Sequence, residues 1–262
     1  MKNTPGVPYF TDSDKDVYTS RDEVEWREVD YLLLPDGQYE YQLTLPQPLA
    51  NWDVFSEWER ARIHSMAKEL RSSDILYDVG TEQGWCNIIY ARFVNPANMV
   101  LIEPTTQFWP NIRAIWEKNY PLDKPLAFYH GLIDEVTNDD RTTFSSWPDV
   151  SVGPLIDRNK YTYIFENNSC VPSITLDDLA AGIGFPPTAI SIDVEGAEGH
   201  VLRGAEGLIR EHHPKIWCSV HPDMMARDFG ESDQDLHEYM RGLGYRAEHL
   251  ATDHEQHYFY HV

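Results

Sequence analysis

The chain has 262 residues, which allows one large domain or one domain with a substantial extension. Hydrophobic residues make up 42% and aromatic residues 13%, enough apolar material for a sizeable core, which argues against disorder. Lys and Arg number 21 against 43 Asp and Glu, and the formal net charge of −22 disfavours binding to nucleic acid or anionic lipid. No apolar run approaches the roughly 20 residues of a membrane span, and we expect no secretory signal.

The three cysteines indicate a reducing compartment. Cys86, Cys170 and Cys218 are widely spaced and include no C-x-x-C pair. A small, odd number without zinc-ligand spacing is typical of free thiols in the cytosol. We therefore expect a cytoplasmic protein without a structural disulfide or a cysteine nucleophile.

Residues 1–70 are predicted to form an N-terminal extension. Two extended runs, Val29–Leu34 and Tyr39–Leu45, flank a Pro-Asp-Gly sequence at 35–37, which is typical of a β-hairpin. From Trp52 to Leu70, apolar residues recur at helical spacing, which predicts an amphipathic helix.

Residues 71–262 are predicted to form an α/β domain, because short apolar strands alternate with helical patterns from Asp74 onward. The predicted strands are Ile75–Val79, Met99–Ile102, Leu126–Tyr129, Ala189–Asp193, Ile216–Val220, Tyr245–Leu250 and His257–Val262. The predicted helices are Gly84–Phe93, Phe108–Asn119, Thr175–Ala181, Ala197–His212 and one that begins at the capping pair Ser232 and Asp235. The pattern indicates a mostly parallel seven-stranded sheet, covered by helices, with an antiparallel C-terminal edge.

An irregular insertion interrupts this alternation between about Val136 and Val171. It is too long for an ordinary connection, so we predict a loop or lid beside the functional site. Its Trp147 could stack on the face of a sugar.

The first candidate site follows the strand Ile75–Val79. Gly80 permits a tight turn, and Gly84 lets the backbone approach a ligand at the start of the next helix. Glu103 ends the next strand, where an acidic side chain can accept hydrogen bonds from both hydroxyls of a ribose. The spacing indicates a nucleoside-containing cofactor in a Rossmann-like crevice, although a plain strand–turn–helix connection would use the same glycines.

The charges around this turn favour S-adenosylmethionine (SAM) over a nicotinamide dinucleotide. The G-x-G start and the third glycine of the dinucleotide fingerprint are missing. Asp78 and Glu82 place negative charge where a pyrophosphate would lie, which suits a cationic cofactor instead. The predicted cofactor contacts are Asp78, Gly80, Thr81, Gly84, Trp85, Glu103, Pro104, Asp193 and, near the adenine together with Gly131, Asp134.

The second candidate site follows the strand Ala189–Asp193, whose carboxyl end should face the same crevice. Asp193 and Glu195 lie two residues apart in an extended turn, so one can face the crevice while the other caps the following helix. In the alternative reading, Asp193 is an N-cap and Glu195 a helix N-terminal charge.

His221 ends the neighbouring strand, and its imidazole is a natural general base for a hydroxyl at neutral pH. The alternatives are a surface turn residue before Pro222, or a ligand of a divalent ion together with Asp193, Glu195 and Asp223. The C-terminal histidines fall on separate strand positions and are interpreted as composition rather than a metal site: His249, His254, His257 and His261.

Taken together, these motifs resemble the FkbM-type SAM-dependent methyltransferases over roughly residues 74–262. The resemblance is carried by Asp78-Val79-Gly80 with Gly84, Glu103-Pro104, Thr175–Leu179, Asp193–Glu198, Val201-Leu202 and Gly204-Ala205. It implies a class I methyltransferase fold and, usually, O-methylation of a hydroxyl on a sugar or small metabolite. The chain lacks the glutamate that members often carry in the strand before the His-Pro pair, so no base is assigned from that position.

The resulting prediction is a cytoplasmic SAM-dependent methyltransferase with a small-molecule or glycan acceptor. Asp193, His221 and Glu195 are the predicted catalytic residues, with a divalent metal as a possible second cofactor. Two rivals stay open: a SAM-fold interaction module that has lost catalysis, and a nicotinamide-dependent oxidoreductase.

Overall fold

The computed structural model describes residues 25–33, 39–47, 59–138, 144–148 and 172–262. The predicted turn at 35–37, the first part of the helix predicted from Trp52, Cys170 and most of the insertion lie outside these residues. Within the described ranges, no helix has both the length and the apolar character needed to cross a membrane.

The N-terminal hairpin is confirmed. Strands β1 (Trp26–Leu33) and β2 (Tyr39–Pro46) pair antiparallel, with Tyr31 opposite Tyr41. Leu43 and Leu45 of β2 are buried together with Tyr31, and their spacing of two residues is the period expected of a strand with one face on the core. These side chains join the same hydrophobic cluster as Trp85, so the hairpin packs onto the α/β domain.

The predicted mostly parallel seven-stranded sheet is confirmed. Its strands are β3 (Leu76–Val79), β4 (Met99–Ile102), β5 (Ala127–Tyr129), β8 (Ala189–Ile192), β9 (Lys215–Val220), β10 (Arg246–Thr252) and β11 (Gln256–His261). Their order in the sheet is β10-β11-β9-β8-β3-β4-β5, with parallel pairs from β9 through β5 and β11 antiparallel to both neighbours. A short parallel pair that the sequence did not predict, β6 (Leu132–Ile133) with β7 (Ser173–Ile174), lies beside it.

Helices cover both faces of the sheet. They are α1 (Arg60–Glu69), α2 (Trp85–Tyr90), α3 (Trp109–Asn119), α4 (Leu176–Ile183), α5 (Glu198–Arg203), α6 (Glu206–His212) and α7 (Asp233–Gly242). In β4, Met99 and Leu101 belong to one hydrophobic cluster while Val100 and Ile102 belong to the other. Side chains along a strand alternate between the two faces of the sheet. A strand that is buried on both faces therefore has a continuous apolar sequence.

The single helix predicted over 197–212 is wrong, because the chain forms α5 and α6 with a break between them. A Cβ on Gly204 would lie 2.2 Å from the carbonyl oxygen of Asp134, so this glycine allows a close approach. The carboxylate of Asp177 then accepts hydrogen bonds from the backbone N–H groups of Gly207 and Leu208, at 2.9 and 2.8 Å. A side chain from α4 therefore caps α6 as a new helix.

Candidate functional site

A cavity of about 230 Å³ lies at the carboxyl ends of β3, β4 and β8. One water needs about 10–15 Å³ by this measure, so the cavity has room for a small organic molecule. Its wall combines the loops after these strands with residues before and within α1 and with the turn between β10 and β11. We call it the central cavity.

Gly80 brings the two predicted site loops into contact. Its φ is +90°, and a Cβ there would lie 1.7 Å from the carbonyl oxygen of Asp193. The backbone N–H groups of Gly80 and Thr81 both donate to the carbonyl of Ile102, at 3.0 and 3.1 Å. The turn is therefore held between β4 and the loop after β8, and it lines the central cavity.

Asp78 braces this turn from β3. It is buried and accepts hydrogen bonds from the Asn87 amide and, at 3.4 Å, from the Thr81 hydroxyl. Burial raises the pKa of Asp78 to about 6, although the nearby Arg62 charge and these hydrogen bonds lower it.

Glu103 lies on the cavity wall at the end of β4, as the sequence predicts. Its Oε2 accepts from the backbone N–H of Glu82 at 2.8 Å, and its Oε1 accepts from that of Thr105 at 2.7 Å. Burial raises the pKa of Glu103 to about 7, against the effect of these hydrogen bonds. A carboxylate offers about four lone pairs, so these two bonds do not exhaust its capacity to accept hydrogen bonds from a ligand.

Asp193 and Glu195 both line the central cavity at the end of β8. The Asp193 carboxylate lies 3.4 Å from Nη2 of Arg62, which is buried and also pairs with Glu59. Burial raises the pKa of Glu195, whereas the neighbouring His221 charge lowers it. This end of the cavity therefore carries several carboxylates around one arginine.

His221 does not line the central cavity, where the sequence predicts it. Its Nδ1 lies 2.8 Å from Glu198 and its Nε2 lies 2.5 Å from Glu255, so both ring nitrogens are engaged. Burial lowers its pKa, but these two hydrogen bonds and the charge of Asp193 raise it to about 12. The imidazole lies behind Asp193 and Glu195, at 3.9 and 3.7 Å, in a position to hold them in place.

Three glutamates on the cavity wall have left-handed backbone conformations. Of the four described non-glycine residues with positive φ, three are Glu59, Glu82 and Glu195, with φ of 59°, 49° and 57°. Such a conformation costs a non-glycine residue about 1–2 kcal/mol. Strain of this kind concentrates at functional sites, where the fold imposes it to aim a side chain or a backbone group.

Of the other predicted cofactor contacts, three line the central cavity and two do not. Thr81, Trp85 and Pro104 line the cavity, whereas Gly84 and Asp134 are not on its wall. Gly84 allows close packing of α2 on α3, since a Cβ there would lie 2.9 Å from the Cα of Ile112. The Asp134 carboxylate lies 3.0 Å from Nδ1 of His200 instead.

Two further predicted residues lie away from the cavity. Trp147 packs on Phe128 of the hydrophobic core, with ring centroids 4.3 Å apart. Asp223 is exposed and is separate from the possible metal ligands Asp193, Glu195 and His221, which do lie together.

Sequence reasoning missed the contribution of the chain ends to the site. Glu59 and Arg62, at the start of α1, and His254 and Glu255, between β10 and β11, all line the cavity. The Glu59–Arg62 spacing of three residues was a signal for an ion pair on a helix. Nothing local in the sequence indicated that this pair would be buried beside Asp193.

The sheet order, the glycine turn after β3 and the carboxylate after β4 define a Rossmann-like class I methyltransferase fold. A family model for the methyltransferase FkbM domain matches residues 78–247. The chain belongs to this family, as its motifs predict. A comparison with curated proteins finds no match.

Several methyltransferases are among the solved structures that this chain resembles. A methyltransferase FkbM from Methylobacillus flagellatus KT aligns with a TM-score of 0.52 and 18% identity, over 74% of this chain and 44% of that one. A precorrin-6y C5,15-methyltransferase from Geobacter metallireducens GS-15 aligns at 0.46 and 11%, over 80% and 91%. A methyltransferase from Geobacter sulfurreducens aligns at 0.44 and 13%, over 79% of each chain. The first likeness supports the fold, and the chain spans less than half of that Methylobacillus protein.

Proposed function

We propose that this protein is a SAM-dependent methyltransferase that methylates a hydroxyl group on a sugar or small metabolite. The observation that carries the proposal is Glu103, a buried carboxylate with remaining acceptor capacity, on the wall of a cavity at the carboxyl ends of parallel strands. That position is where open α/β sheets bind ligands. Membership of the FkbM family supports the same activity.

The residues around Glu103 fit such a cofactor. The hydroxyls of a ribose can donate hydrogen bonds to the Glu103 carboxylate, and the adjoining wall is apolar, as an adenine ring requires. That wall is formed by Ile102, Pro104, Leu132 and Ile133. Acidic side chains at the other end, beside Asp193, suit a cationic centre. When bound, SAM supplies a methyl group on a sulfonium.

The carboxylates at the other end of the cavity are the groups that act on the acceptor. Glu195 and Asp193 both face the cavity, so either can take the proton of an acceptor hydroxyl. Arg62 fixes one oxygen of Asp193, and His221 supports both carboxylates from behind. His221 is thus a positioning residue in this proposal.

The first test is direct binding of SAM, measured by calorimetry on the full chain. Glu103→Ala removes the acceptors for the ribose and should weaken SAM binding at least about tenfold, which corresponds to 1.4 kcal/mol. Glu117→Ala, at a more exposed site on α3, is the control and should bind as the wild type does. An unchanged affinity in a folded Glu103→Ala protein would remove Glu103 from the cofactor site.

The second test separates the rival functions. Incubation with methyl-labelled SAM and a panel of sugars, other alcohols and amines should label a hydroxyl oxygen, as mass spectrometry can determine. SAM binding without any transfer would favour the inactive interaction module. Binding of a nicotinamide cofactor in place of SAM would favour the oxidoreductase.

A further inference from the structure

A second group of metal-ligating side chains lies at the acidic end of the central cavity. It consists of Glu59, Glu255 and His257, and we call it the clamp cluster. The three residues come from the segment before α1 and from the turn and strand β11, on either side of the family-matched residues 78–247. None of them belongs to the motifs that define the fold.

The potential ligand atoms of the clamp cluster converge. One donor atom from each residue lies within 4.8 Å of the others. A ring nitrogen of His257 lies 3.9 Å from Oε1 of Glu59, and the other lies 3.7 Å from Oε1 of Glu255. Asp253 accepts from the backbone N–H of Glu59 at 3.1 Å and faces Nε2 of His257 at 3.0 Å, so it positions both residues.

Burial makes this arrangement costly without a cation. Glu59, Glu255 and His257 are 3%, 6% and 0% exposed. The Glu59 and Glu255 carboxyl groups also contact each other. Two buried carboxylates in contact repel each other unless a cation or a proton lies between them.

Arg62 and His221 do not reach every oxygen of these two carboxylates. Arg62 is shared between Glu59 and Asp193, and His221 takes Oε2 of Glu255. Apart from the Glu59 carboxyl group, Oε1 of Glu255 has no hydrogen-bond donor among the described residues, although the Glu255 side chain is only 2% exposed. A buried carboxylate oxygen that points at an imidazole and lacks any other donor is suited to bind an ion.

We propose that the clamp cluster binds one divalent first-row transition-metal ion, through the carboxylates of Glu59 and Glu255 and an imidazole nitrogen of His257. Carboxylates suit Mn²⁺ and an imidazole suits Zn²⁺ and Fe²⁺, so the mixed set selects this class rather than Ca²⁺. Ser219 Oγ lies 3.2 Å from Nδ1 of His257 and Asp253 faces Nε2, so the ring nitrogen that does not bind the ion keeps a hydrogen bond.

The ion ties distant parts of the chain together at the acceptor end of the cavity. It joins the start of α1 to the β10–β11 turn, segments whose existing contact spans 194 residues of sequence. Glu255 also contacts His221, which supports Asp193 and Glu195, so the ion fixes the wall on which these two carboxylates lie. Binding of the ion does not depend on the proposed methyltransferase activity.

The test measures ion binding alone. The full chain is stripped with EDTA, dialysed and titrated with Mn²⁺, while electron paramagnetic resonance follows the free ion; Zn²⁺ is then added as a competitor. We expect one Mn²⁺ per chain, displaced by Zn²⁺, and a rise in the thermal unfolding midpoint. Glu255→Gln, which preserves shape, and His257→Ala should each weaken binding at least tenfold. His249→Ala, at an exposed histidine on the same hairpin, is the matched control and should bind as the wild type does.

Circular dichroism in EDTA establishes that each variant is folded, and Glu255→Gln keeps the test informative if His257→Ala does not fold. Absence of saturable Mn²⁺ and Zn²⁺ binding in the folded wild type would overturn the proposal, and so would wild-type affinity in both folded variants. Because SAM is absent from the experiment, either result leaves the methyltransferase proposal to its own test.

Discussion

Glu103 shows how one residue serves both the fold and the proposed chemistry. Its two oxygens hold the backbone of Glu82 and Thr105, which shapes the loops on either side of the cavity. The same burial that makes these bonds strong raises its pKa to about 7 from an ordinary value of 4.5. Between these two pH values the folded chain keeps a proton that the unfolded chain has lost.

This shift predicts that the free energy of unfolding falls as the pH rises from about 4.5 to about 7, since the folded state binds more protons there. Glu103→Gln removes this titration. The free energy of unfolding of this variant, relative to that of the wild type, should therefore rise by about 3 kcal/mol between about pH 4.5 and about pH 7. Urea unfolding at pH 4.5, 6 and 8 measures the difference.

The amide of Glu103→Gln also leaves one backbone N–H without an acceptor, a cost of about 1–3 kcal/mol that is the same at every pH. The quantity to compare is therefore how the difference in unfolding free energy between Glu103→Gln and the wild type changes with pH. Glu211→Gln, at a site whose side chain is 79% exposed, provides the baseline. A constant difference between Glu103→Gln and the wild type would show that Glu103 does not titrate in this range.

At the scale of elements, helix α1 connects the N-terminal segment to the functional site. Its apolar residues Ile63 and Met66 are buried, as its periodicity predicts. Arg62 lies on the same buried side, 2% exposed, between Glu59 and Asp193. Helix α1 therefore places a positive charge on the wall of a cavity that is formed mainly by loops of the sheet. The boundary between an extension and a domain near residue 70 stays a prediction.

Arg62→Met should destabilise the protein by about 3–5 kcal/mol, because it leaves the carboxylates of Glu59 and Asp193 buried without their cation. The double variant Glu59→Gln with Arg62→Met should recover part of that loss. Urea unfolding in EDTA measures both effects free of any bound ion. Lys68→Met changes an exposed residue of the same helix and should alter stability by less than about 0.5 kcal/mol. A loss below 1 kcal/mol for Arg62→Met would mean that the pair is not structurally important.

At the scale of the whole molecule, the dominant physical property is the net charge of −22. Self-repulsion at this charge opposes the compact state. Carboxylates also repel one another locally, at the clamp cluster and at the acidic end of the cavity. Several carboxylates lie there around one described arginine, Arg62.

Salt should therefore stabilise the protein. From about 0.01 to about 1 M NaCl the Debye length falls from about 30 to about 3 Å, which screens repulsion across the surface. We expect the thermal unfolding midpoint to rise over this range, as calorimetry can measure. KCl should have the same effect at equal ionic strength, which separates screening from binding of a particular ion. A midpoint that falls with added salt would show that attractive ion pairs dominate.

The features of this protein that follow local rules can be predicted from its amino-acid sequence. The alternation of strands and helices follows from hydrophobic periodicity, and the hairpin follows from two apolar runs around a turn. The glycine turn at Gly80 and the carboxylate at Glu103 could be placed because each directly follows a strand, and strand ends in a parallel sheet meet at one edge.

Which distant side chains share the cavity depends on how the elements pack together. Glu59, Arg62, Glu255 and His257 carry no local pattern, and their meeting depends on α1 and the β10–β11 turn packing against the same end of the sheet. The same holds for His221. The sequence predicts a base at this strand end, and the fold places its imidazole between Glu198 and Glu255. Periodicity reports which face of an element is buried, whereas the partner of a buried charge is set by contacts between segments far apart in the chain.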